Sequence, residues 1–163
     1  MDRHGTFREG VIAGVLGATG VALWFLIVDT IAGQPFFTPR VLGEAVKTVV
    51  APDNTPSAFV IVALYTVFHY AAFILVGIVT VALIHPTAKH IGFLAGMVML
   101  FVMFEAGFYG FVLMLQLATP LEGLSWYQVG AANLVAAALM GRYLLLRHPE
   151  LTHRFSESLS GRQ

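Results

Sequence analysis

The chain has 163 residues, 58% of them apolar and only 11% charged, and it contains no cysteine. A soluble domain carries about 25% charged residues to cover its surface, so this composition suits lipid as the main solvent. The lack of cysteine excludes disulfides, thiolate metal sites and thiol catalysis. A formal net charge of zero offers nothing to nucleic acid.

Four segments reach the roughly 20 apolar residues that a bilayer demands: 10–31, 58–84, 91–118 and 125–146. Lipid offers no partner for exposed peptide groups, so each is expected to be a helix. The fold class expected is therefore all-α: one domain, a four-helix transmembrane bundle. The run after Arg8 is long and lacks a small-x-small exit, and so reads as a retained span rather than a cleaved leader. Gly10, Gly14, Ala18 and Ala22 form a ridge of small residues along the first span, where another helix can approach closely. Phe25 and Asp29 continue it, and Gly33-Gln34-Pro35 ends the helix.

The loop over 33–57 contains its own signal. Thr38 as N-cap and Pro39 at the first helical position are a good helix start. Val41, Leu42, Ala45, Val46 and Val49 then recur at helical spacing, with Arg40 and Glu44 four apart on the other face. This predicts a short amphipathic helix lying on the outer membrane surface.

In the second span Val62, Tyr65, Thr66, His69, Ala72, Phe73, Val76 and Thr80 share a face that should meet protein. Val60, Leu64, Val67, Ala71, Ile74 and Ile78 form the opposite, aliphatic face, expected toward lipid. His85-Pro86 closes the span. In the third span Gly92, Gly96, Met99, Met103, Ala106, Gly110 and Met114 form one face. Glu105 lies roughly opposite, with Phe101, Phe108, Tyr109 and Val112. Two faces suited to protein contact point to a partner subunit or self-association. In the fourth span Asn133 sits with Gly130, Ala136, Ala137 and Gly141 on a packing face. The stretch after it, 147–163, reads as a tail.

Lysines and arginines divide unevenly between the two sides. Arg3, Arg8, Lys89, Arg142, Arg147, Arg154 and Arg162 fall on one, Arg40 and Lys47 on the other. This puts both termini in the cytoplasm. Ala22-Leu23-Trp24-Phe25 and Phe36-Phe37-Thr38-Pro39 resemble stretches of small bacterial membrane proteins. The resemblance implies a bacterial inner membrane and no particular activity.

His69 and Glu105 both lie about 18 Å deep, near the bilayer centre. Consecutive spans are usually adjacent, so the two are expected to interact, with Asn133, Tyr109 and Asp29 extending a polar network outward. Such a network can simply fix helix register. It can also be a proton or ion pathway. A metal centre would have His69 and Glu105 but no obvious third ligand, and His85, His90, His148 and His153 sit at the membrane boundary. No nucleophile elbow or phosphate loop occurs. The function expected is a non-enzymatic accessory or scaffold subunit of a larger membrane complex, with no cofactor, contacting lipid and other membrane subunits. The alternative is a small proton- or ion-coupled transporter using Asp29, His69 and Glu105; an intramembrane metalloenzyme comes third.

Overall fold

The computed structural model describes residues 3–50, 53, 56–87, 93–116 and 126–147, and in these it is entirely helical. Five helices follow in order: α1 (Arg3–Ile31), α2 (Phe37–Val50), α3 (Ala58–Thr87), α4 (Phe93–Gln116) and α5 (Trp126–Arg147). Within the described residues, three stretches are long and apolar enough to cross a membrane: Gly5–Ile31, Ala58–Ala82 and Trp126–Arg147. The outer surface agrees with that reading. Leu23, Ile27, Val67, Leu75, Leu134 and Leu146 are all more than half exposed, a burden of bare aliphatic surface that water does not tolerate.

Two helices outrun their apolar cores. α1 begins at Arg3, so its polar first turns extend the helix before Gly10. α3 continues to Thr87 with Pro86 in its final turn, past the boundary that His85-Pro86 suggested.

α1 is the centre of the assembly, packed on α3 along one side and on α5 along another. Glycines make both contacts possible. A Cβ on Gly10 would lie 2.5 Å from the Ile78 Cα, one on Gly14 2.5 Å from the Ile74 Cα, and one on Gly77 2.7 Å from the Gly14 backbone nitrogen. The α1 and α3 backbones therefore touch, and any side chain at these points would separate them. Toward α5, a Cβ on Gly17 would lie 2.7 Å from the Met140 sulfur. There Ala132, Ala136, Ala137 and Met140 are fully or almost fully buried. Ala13, Val21, Leu100 and Phe104 complete this core. The Trp24 indole N–H donates to Gln128 Oε1 at 3.1 Å, and Arg147 pairs with Glu9 at 3.6 Å.

The expected lipid face of α3 is corrected by this packing. Ile74 and Ile78 flank Gly77 and lie against α1, whereas Val67, Ala71, Leu75 and Val79 form the exposed stripe. The rotation follows from Gly77, whose missing side chain decides where α1 sits.

Backbone hydrogen bonds shape the turn from α1 to α2. Gln34 N donates to Asp29 O at 2.9 Å and Gly33 N to Thr30 O at 3.0 Å, the paired bonds of a Schellman cap with Gly33 at its left-handed position, φ +74°. Phe37 N then donates to Gln34 O. Pro35 and Phe36 are the central residues of that turn, and Phe36 takes φ +67°, the place where a type II turn prefers glycine.

α2 buries Leu42, Gly43, Ala45 and Val46 and packs mainly on α3. A Cβ on Gly43 would lie 2.6 Å from the Ile61 carbonyl oxygen, so this helix docks on protein with its backbone, not only with side chains. On its open side Glu44 pairs with Lys47 at 3.0 Å rather than with Arg40.

α4 packs on α5 and touches α2. It meets α3 through side chains, with the Phe73 and Phe104 rings stacked 4.9 Å apart.

Candidate intramembrane site

The polar groups named from the sequence acquire separate partners. Asn133 on α5 donates its amide N–H to Glu105 Oε1 on α4 at 2.8 Å. His69 on α3 lies 3.1 Å from the Ala18 carbonyl oxygen of α1 through Nε2. A carbonyl only accepts, so Nε2 carries a proton, and in the neutral tautomer that matches this bond Nδ1 is the acceptor. Among the described residues, no hydrogen bond or ion pair joins His69 to Glu105. The two side chains face different neighbours: His69 turns to α1, on which α3 packs, and Glu105 to α5, on which α4 packs.

Asp29 serves the backbone. Its Oδ2 accepts from Thr38 N at 2.8 Å and its Oδ1 from the Thr38 hydroxyl at 2.9 Å. Arg40 N donates to Phe36 O at 3.1 Å, so Phe36 and not Thr38 occupies the N-cap position of α2. Phe36 has no side-chain acceptor to offer. Asp29 reaches over from α1 and supplies the one that an N-cap serine or aspartate would have provided. It is 4% exposed.

Tyr109 does not join these groups. It is 43% exposed and its ring stands edge-on to Phe108 at 5.6 Å. Of the small residues, Gly10, Gly14 and Ala18 lie along α3, the last through its carbonyl. Ala22 lies where the two helices part, lining a cavity of about 210 Å³ with Asp29, Phe36, Tyr65 and His69. Gly96 is in α4, and Gly92 falls outside the described residues. Around Gly110 there is open space, with no atom within 4 Å of a Cβ built there.

A second cavity, of about 290 Å³, opens between α3 and α4, with α5 and α1 behind it. Tyr65, His69 and Asn133 line it together with Phe25, Phe73, Phe104 and Phe108. Tyr65 and His69 belong to both cavities, and their rings stack at 5.6 Å. Phe73 covers the His69 ring from the next turn at 4.7 Å. His69 thus stands in the partition between two chambers, itself 8% exposed. Among the described residues, no three histidine or acidic side chains come together as metal ligands would.

Sequence reading placed Tyr65 on the protein-facing side of its helix but gave it no role. The signal available was its spacing of four from His69, one turn apart on one face. Thr19 was also passed over; its hydroxyl lies 3.0 Å from the Tyr70 hydroxyl and joins α1 to α3.

Helices of this length and surface define a helical membrane-spanning protein. Compared with known proteins, the chain matches no family model, no curated protein and no solved structure.

Proposed function

We propose that the chain is a non-enzymatic accessory or scaffold subunit of a larger membrane complex. In this reading α4 is a fourth span, α2 lies on the outer side, both termini are cytoplasmic, and the membrane is a bacterial inner membrane. The observation that carries the reading is the open side of α4. Val102, Ala106, Tyr109, Gly110 and Leu113 are exposed along it, and Ala106 and Gly110 leave a shallow trough between the larger side chains. Lipid needs no such trough, whereas a neighbouring helix uses one to bring its backbone close. Lysine and arginine asymmetry supports the orientation.

Transport coupled to protons or ions is the second reading, favoured by the two chambers that meet at His69. Against it, Asp29, His69 and Glu105 are each engaged in a local bond that holds helices together. Extraction in mild detergent from native membrane, followed by mass measurement, tests the first reading. A defined hetero-complex supports it, and a monomer overturns it. Proton flux in proteoliposomes that is lost in Glu105→Gln, with the fold intact, would put the transporter first.

A further inference from the structure

The cavity between α3 and α4 contains more hydrogen-bonding capacity than the protein uses. The Tyr65 hydroxyl has no partner among the described residues, nor has Nδ1 of His69. Asn133 spends one amide hydrogen on Glu105, which leaves its other hydrogen and its carbonyl oxygen. In a hydrocarbon setting each unpaired group is costly. Three side chains with spare capacity on one cavity call for a polar occupant. Phe25, Phe68, Phe73, Phe104 and Phe108 share the remaining walls with aliphatic residues and Met103, and such a lining calls for an apolar occupant with a flat face for the rings. Phe68 and Gly107 line the same cavity and are exposed on the outer surface, so it opens sideways to the bilayer between α3 and α4.

We propose that this cavity binds a planar lipophilic ring bearing carbonyl or hydroxyl oxygens, the headgroup chemistry of a membrane quinone or quinol. The ring stacks against the phenylalanine walls. The Tyr65 hydroxyl and the Asn133 amide N–H donate to carbonyl oxygens of the oxidised form. The same hydroxyl, the Asn133 carbonyl oxygen and Nδ1 of His69 accept from hydroxyls of the reduced form. A bare acyl chain would fill the space and leave these groups unpaired. A cation would find no carboxylate, since neither Glu105 nor Asp29 lines this cavity. Its volume, about 290 Å³, is at the small end of ligand sites, roughly 300–1,000 Å³, and suits one substituted ring with its tail left in the bilayer. The site belongs to this chain alone and stands with or without a partner subunit.

The test uses the full chain in lipid nanodiscs with decyl-ubiquinone as the probe. Saturable binding is expected, and decylbenzene, a ring of similar reach without oxygens, should fail to displace it. Tyr65→Phe removes one oxygen and keeps the volume; it should weaken binding roughly three- to tenfold. Ala72→Trp, placed on the cavity wall, should abolish binding. Circular dichroism and elution volume report whether each variant is folded, and Tyr65→Phe carries the test if Ala72→Trp is not. Absence of saturable binding, equal affinity in Tyr65→Phe, or equal displacement by decylbenzene would overturn the proposal.

Discussion

Glu105 and Asn133 are joined across the α4–α5 interface by a single 2.8 Å hydrogen bond from the asparagine amide to the carboxyl oxygen Oε1. Within the described residues this is the hydrogen bond that ties α4 to α5. Losing either partner strands the other in a poorly solvated place. The single variants Glu105→Leu and Asn133→Leu should each destabilise the fold, and the double variant should cost less than their sum. The coupling expected is about 1 kcal/mol, in the range measured for hydrogen bonds inside membranes. Reversible unfolding in mixed micelles reads it, and strict additivity would show that the bond contributes nothing.

The Asp29 cap should behave as a graded series. Asp29→Ala removes both acceptors from Thr38 and should loosen the start of α2 by about 1–2 kcal/mol. Thr38→Val removes only the hydroxyl bond and leaves the backbone one, so its effect should be smaller. Hydrogen exchange of the first turn of α2 distinguishes them. Equal protection in all three proteins would mean that the cap is not what holds this end.

Glycine substitutions should report the α1–α3 crossing. Gly14→Leu and Gly77→Leu drive a side chain into backbone and should separate the helices, with large loss of detergent stability. Leu75→Ile, on the exposed stripe, should change stability by less than about 0.5 kcal/mol. Thermal aggregation in one detergent measures all three. If Leu75→Ile proved as damaging as the glycine variants, the faces of α3 would be misassigned.

The tight turn at Phe36 predicts a gain. A side chain at positive φ costs about 1–2 kcal/mol, and glycine there gives back some of this through its freer unfolded state. Phe36→Gly should therefore stabilise by up to about 1 kcal/mol, while Gly33→Val should destabilise by about as much or more. Unfolding midpoints check both signs.

Orientation is tested with the cysteine-free chain itself. Cysteines placed at Asp53 and Ser160 are offered an impermeant thiol reagent on whole cells. Labelling at 53 and not at 160 is expected from the charge asymmetry, and the reverse pattern would invert the topology.

The helices were legible because length and apolarity alone decide them in lipid, and α2 because five apolar residues recur at helical spacing. Its first turn was not. Thr38-Pro39 reads as a self-contained cap, but the acceptor comes from Asp29, nine residues earlier and on another helix. The polar site was legible as a set of residue types and not as a set of pairs. Depth placed His69 and Glu105 at one level, yet pairing depends on which helices neighbour each other. That order follows from Gly14 and Gly77, whose close approach commits α3 to α1 and leaves Asn133 to meet Glu105. Tyr109 shares a helix face with Glu105 by its spacing of four, yet it is 43% exposed and stands outside the polar contacts.

The seven-bond run from Val28 to Arg40 bears on how the protein is made. Ala32, Gly33, Gln34, Phe37 and Arg40 donate backward through their backbones, and Thr38 donates twice to Asp29. Every one of these bonds spans fewer than ten residues, so all can close before the ribosome has delivered α3. Such local contacts form early because little chain entropy opposes them. A hook of α1 and α2 is thus complete while synthesis continues, its Gly10–Gly14 groove and its Gly43 notch both vacant. The next helix to emerge would then meet a seat shaped for it from two sides, at Gly10 and Gly14 and at Gly43.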